Sequence, residues 1–190
     1  MKTKLMILLV LVGISLTGCY KTKTLETKHP TGELKSRCTA VQFHGEVPSK
    51  LGLETVWSKK GKKIATITWE YGEREGTAIY WNEKGEVITR GQYREGKKHG
   101  TWKDYTGGKV TTETRYHFGK KQGTEITTLP DQTVNTKTWA RGVLHGKVES
   151  LSPSGQILYR HIWEDGILKS STTWNKDGTV KETTLEHPQN

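Results

Sequence analysis

From Lys63 onward the hydrophobic positions recur on alternate residues. Ala65, Ile67 and Trp69 share one parity, as do Val87, Thr89 and Tyr93 in a later stretch, and Ile157, Tyr159 and Trp163 in another. The opposite parity carries Arg90, Gln92 and Arg94, then Glu113, Arg115 and His117. A period of two, filled by β-branched and aromatic residues, marks strands with one half-buried face. Threonine is abundant along these stretches, which also favours strands. Beyond the N-terminal segment no stripe of period 3.6 appears, so the chain reads as all-β.

The alternating stretches repeat. An aromatic residue falls at Trp69, Tyr93, Tyr116, Trp139 and Trp163, in steps of 24, 23, 23 and 24. Three residues after each comes a glycine: Gly72, Gly96, Gly119, Gly142 and Gly166. A second glycine follows at Gly76, Gly100, Gly123 and Gly146, and Ser170 takes the fifth place. Half a period away lies another turn series: Gly61, Gly85, Gly108, Asp131, Gly155 and Gly178. Two interleaved series with one period define a β-hairpin unit of about 23 residues. One hairpin is marginal in water, but hairpins side by side bury a shared face. The expected architecture is an elongated antiparallel sheet of stacked hairpins. Asn82–Gly85 and Asn175–Gly178 place glycine where a positive φ is needed. In Gly96–Gly100 the two glycines are expected to reverse the chain and admit a close neighbour.

The first residues differ from the rest. Lys2 and Lys4 precede an apolar run, Leu5–Leu16, which is too short to span a bilayer and suits a signal-peptide core. The run ends in L-T-G-C, Leu16–Cys19. This order resembles a bacterial lipoprotein signal, which implies that Cys19 is lipidated after residues 1–18 are removed. The alternatives are a plain N-terminal anchor or an ordinary secretory signal. A lipidated protein is exported and tethered to a membrane without spanning it. Tyr20 after the cysteine, rather than Asp, points by analogy to the outer membrane in a host with two membranes. The organisation expected is signal peptide 1–18, tether and degenerate first repeat or cap 19–52, hairpin repeats 53–185 and a tail 186–190. P-T-G-E-L (Pro30–Leu34) and F-H-G (Phe43–Gly45) carry the degenerate unit.

Composition alters this picture in two ways. Hydrophobic content is only 32%, which would permit disorder, but seven Trp and seven Tyr argue against it. The formal charge of +10 falls to +8 when Lys2 and Lys4 leave with the signal. That balance favours anionic lipid, a cell-wall polymer or an acidic partner protein, or serves solubility alone. Nucleic acid is a poor candidate for an exported lipoprotein. With Cys19 lipidated, Cys38 has no partner for an internal disulfide.

The stretch G-Q-Y-R-E-G-K-K-H-G-T-W, Gly91–Trp102, resembles a MORN repeat of the bacterial variant, found in proteins labelled antitoxins of the YwqK type. The similarity extends over residues 53–185 in about five and a half units. It departs from the pattern at Asp131 and Ser170, and the last unit lacks its second turn. The resemblance implies a twisted sheet of hairpins that binds or scaffolds rather than catalyses. The antitoxin label implies neutralisation of a toxin by direct contact, which for an exported lipoprotein means an immunity protein. Fold alone does not fix function.

No catalytic constellation stands out. G-x-S-x-G, a phosphate-binding loop and H-E-x-x-H are all absent. The seven histidines have no metal-ligand spacing, so neither an enzyme nor a cofactor is expected. His99 and His145 share one place in the repeat, which reads as a duplicated turn residue. Cys38 with His44 lacks an orienting group or oxyanion feature.

Binding surfaces are the stronger expectation. The ladder Trp69–Trp163 reads first as core. A second set, Trp57, Trp81, Tyr105 and Trp174, lies three or four residues before a half-period glycine. One sheet layer cannot bury both faces, so these rings are candidate interface anchors. Arg90, Arg94, Lys97, Lys98, Arg115, Lys120 and Lys121 come from adjacent units and could form a basic stripe, or an ordinary charged face. The leading expectation is a protein partner, a toxin in its concrete form. The alternative is an envelope scaffold or adaptor on lipid or cell-wall polymer. Open sheet edges also offer self-association.

Overall fold

The computed structural model describes residues 20–43 and 45–185. Cys19, the apolar segment before it, His44 and the tail 186–190 lie outside the described residues. Among the described residues there is no helix. The strands in chain order are β1 (Tyr20–Lys28), β2 (Leu34–Phe43), β3 (Ser49–Trp57), β4 (Lys63–Glu70) and β5 (Glu73–Trp81). Then come β6 (Val87–Arg94), β7 (Lys97–Thr106), β8 (Lys109–His117), the two-residue β9 (Lys120–Lys121) and β10 (Gly123–Thr128). The last are β11 (Val134–Ala140), β12 (Val143–Leu151), β13 (Ile157–Glu164), β14 (Ile167–Trp174) and β15 (Val180–Leu185). Every strand pairs antiparallel with the next, with β9 and β10 sharing β8 as neighbour. The result is one long open sheet, as the alternation predicts. Residues 20–52 supply β1, β2 and the start of β3, so the ladder runs unbroken into the repeats.

One edge of the ribbon carries two-residue turns: Tyr71-Gly72, Glu95-Gly96, Phe118-Gly119, Arg141-Gly142 and Asp165-Gly166. Both residues of each have positive φ, from 45° at Tyr71 to 92° at Gly142. That is the I′ turn, whose twist matches the strands it joins. The first residue of each is not glycine and bears the left-handed strain. The preceding hairpin compensates by holding the tip. Gly96 N–H donates to the Arg74 carbonyl at 3.0 Å, and Gly119 N–H to that of Lys98 at 2.7 Å. Glu95 N–H donates to the Glu75 carboxylate at 2.8 Å and Arg141 N–H to the Gln122 amide oxygen at 2.9 Å.

The second glycines do not reverse the chain. They sit inside the return strand, where the register slips by two residues. Trp69 pairs with Arg74 but Ile67 with Ala78, so three residues around Gly76 oppose Thr68 alone. Gly100 and Gly146 mark the same slip. Their φ angles, 83° at Gly76 and 101° at Gly146, are open to glycine and costly for other residues. Ser170 fits this account, because the β13–β14 register slips there by only one residue.

Each aromatic of the ladder lies directly across from the bulge glycine of the hairpin before it. The pairs are Gly52–Trp69, Gly76–Tyr93, Gly100–Tyr116, Gly123–Trp139 and Gly146–Trp163. Gly52 therefore heads the series, which the sequence reading began at Gly76.

The half-period turns on the opposite edge are longer. Asn82 accepts N–H bonds from Lys84 and Glu86 on its side-chain oxygen, while Gly85 N–H returns to the Asn82 carbonyl. Asp131 does not take the glycine place in its turn. Gln132 does, at φ 69°, and Asp131 instead accepts the Thr133 N–H at 2.9 Å. That bond holds the Asp131 carboxyl below its ordinary range. Its contribution to the turn is present at neutral pH and fades as pH falls through the lowered value.

The core is thin and lies on one face. It contains Ala78, Tyr93 and Trp102, flanked by Ile67, Tyr80 and Tyr116. Trp102 lies over Gly91 and donates its indole N–H to the Gln92 carbonyl at 3.0 Å. A Cβ at Gly91 would meet the Trp102 ring at 2.2 Å. Gly91→Ala should therefore lower stability by about 1–3 kcal/mol through forced repacking. Thermal unfolding followed by circular dichroism checks this. An unchanged midpoint would mean that the ring does not rest on Gly91.

Candidate binding face

Cross-strand pairs share a face, so the register sorts the candidate residues onto two sides. The inner side holds the aromatic ladder. There one repeat position places a cation over four of the five rings. Lys50 lies 4.4 Å from the Trp69 ring centre, Arg74 4.2 Å from Tyr93, Lys98 5.1 Å from Tyr116 and Lys121 4.5 Å from Trp139. Leu144 takes this place in the next unit, before Trp163.

A second inner position lies two residues after each bulge glycine: Glu54, Ala78, Trp102, Glu125 and Val148, all buried. Two of the five are carboxylates, and each is paired. Glu54 binds Lys50 at 2.6 Å and accepts the Trp69 indole N–H at 2.9 Å. Glu125 pairs with Lys121 and accepts the Thr114 hydroxyl at 3.3 Å. Lys98 and Lys121, candidates for a basic stripe, thus serve the inner face.

The other basic candidates scatter. Arg90 and Arg115 lie on the outer face, across from Lys103 and Thr101. Arg94, Lys97 and Lys120 stand at the edge of the I′ turns, where Arg94 faces Lys97 and Lys120 faces His117. No single stripe joins the seven.

The second aromatic set does lie on the outer face. Trp57, Trp81, Tyr105 and Trp174 sit at the strand ends near the longer turns, across from Lys63, Val87, Val110 and Val180. All four rings are half-buried. Trp57, Trp81 and Tyr105 come from alternate strands β3, β5 and β7, so they follow one another at about 10 Å. Lys63 lies 4.3 Å from the Trp81 ring. Trp174 is far along the sheet on β14, and Thr128 and Leu151 fill the equivalent places between.

Between Trp81 and Tyr105 the outer face is concave. Two adjoining depressions of about 470 and 580 Å³ share Arg90 and Tyr105. Their other walls include Ile79, Glu86, Gln92 and Lys103, none of which the sequence pattern singles out as a site residue. The parity opposite to Trp102 on β7 is the signal that would have pointed to Lys103.

The remaining candidates have local roles. The His145 ring accepts the Asp165 N–H at 3.3 Å. His99, in the same repeat position, instead packs its ring 5.0 Å from Phe118 and 5.4 Å from His117. Among the described residues no three His, Cys, Asp or Glu side chains gather as a metal site. Cys38 is buried, and burial raises its thiol pKa.

No protein-family model matches the chain, and no curated protein matches it with significance.

Two outcomes are expected from this geometry. Lys121→Ala leaves Glu125 buried without its cation and should cost about 1–3 kcal/mol near neutral pH. Urea unfolding of both proteins at neutral pH tests this, and an unchanged midpoint would show that Glu125 does not depend on Lys121. Native Cys38 should react with a thiol reagent at least about tenfold more slowly than in denaturant, since burial withholds the thiolate. Equal rates would place the thiol in solvent.

Proposed function

We propose that this protein is a membrane-anchored β-repeat binding protein of the bacterial envelope that neutralises a toxin by direct protein contact, as an antitoxin or immunity protein. One observation carries the binding part: an outer face on which Trp57, Trp81 and Tyr105 follow one another on alternate strands, with depressions beside Trp81 and Tyr105 and, among the described residues, no second layer over them. Trp, Tyr and Arg are the usual anchors of protein interfaces. The anchor rests on L-T-G-C at Leu16–Cys19, and the toxin on the resemblance of Gly91–Trp102 to the MORN-variant repeat. The alternative is a scaffold or adaptor on anionic lipid or cell-wall polymer, supported by the mature balance of +8. It is weakened by the division of its seven basic residues between two faces and a tip edge.

Capture experiments separate the two. Residues 20–190, immobilised without lipid, are exposed to envelope and secreted fractions of the host and its relatives. After a high-salt wash, one dominant protein is expected, because a packed interface survives salt that dissolves polyanion contacts. Retention of polymer or lipid alone, lost on adding salt, would favour the adaptor.

A further inference from the structure

On the outer face Arg90 is exposed and stands directly across from Lys103, so two cations share one rung of the β6–β7 ladder. Like charges so placed repel. Lys103 is relieved by Glu113, 3.0 Å away. The Arg90 guanidinium has no hydrogen-bond or ion-pair partner among the described residues. It lies where the two outer depressions meet. One side is polar, with Thr77, Gln92 and Thr101; the other has Ile79, Trp81 and Val87, and at its wall Glu86, whose carboxylate accepts from the Asn82 side-chain amide at 2.8 Å.

We infer that this junction takes an acidic side chain flanked by an apolar residue on a protruding loop of a partner protein, the carboxylate on Arg90 and the apolar neighbour against Trp81 and Tyr105. This rests on the protein-binding reading above and names the site and the chemistry of the partner. Strands β5, β6 and β7 have neighbours on both sides, so their backbone groups are spent and no strand can be added there. A side-chain knob is what remains. Trp81, Tyr105 and Arg90 line one depression together, and Trp, Tyr and Arg are the residue types enriched in interface hot spots. A guanidinium beside a second cation gains most from a carboxylate, which it can hold through two parallel hydrogen bonds.

The probe is the capped tripeptide Phe-Glu-Leu, with Phe-Gln-Leu as its uncharged counterpart and trigalacturonate as an acidic sugar. Each is titrated into the full chain held in mild detergent. The Trp81 indole and Arg90 Nε–H resonances are followed by nuclear magnetic resonance. The Glu peptide should shift both saturably and bind about tenfold more tightly than the Gln peptide, the worth of one charge-assisted pair. Arg90→Ala should abolish that preference. No saturable shift, equal binding of the two peptides, a preference that survives Arg90→Ala, or tighter binding of trigalacturonate would each overturn the inference. In the capture experiment, undiminished recovery of the partner by the Arg90→Ala bait overturns this site but leaves the binding reading standing. Failure of the unaltered bait to retain any protein overturns the binding reading itself.

Discussion

A glycine in the return strand of one hairpin stands directly across the ladder from an aromatic residue of the next, and this register joins each hairpin to its neighbour. The glycine adopts a φ that L side chains rarely take, and this lets two extra residues enter the strand. At the hairpin tips the turn amides donate to carbonyls and side-chain oxygens of the preceding unit. Each hairpin thus becomes stable only on its predecessor. Where Ser170 replaces glycine, the slip is halved and the series ends.

A sheet of one layer must also make a core without an opposing layer. Here long side chains from neighbouring strands cover the inner face. Lysine and arginine stems lie across the rings, with the charge held over the π face or by a buried carboxylate. This explains how a chain with 32% hydrophobic residues keeps its rings from water. It also separates the basic residues by task. Of the seven candidates, Lys98 and Lys121 are spent on the inner face, Arg90 and Arg115 stay on the outer face, and Arg94, Lys97 and Lys120 stand at the tip edge. A buried Glu at two of the five core positions makes those units depend on their lysines.

The hairpin period, the all-β class and the positions of both turn series were legible in the sequence, because period-two alternation and glycine turn chemistry are local properties. The spacing of Trp57, Trp81, Tyr105 and Trp174 before the half-period glycines also marked them as one set. Pairing register, in contrast, is a relation between strands. Only the tertiary structure decided that Gly76 and Gly100 are bulges rather than turn residues, that Gly52 belongs with them, and that Gln132 rather than Asp131 takes the left-handed place. The same register sent Lys98 and Lys121 to the inner face and left Arg90 on the outer face, across from Lys103 and without an ion-pair partner among the described residues. A bulge changes which residues share a side without changing the alternation that marks a strand, so composition and spacing determined the elements and register determined the surface.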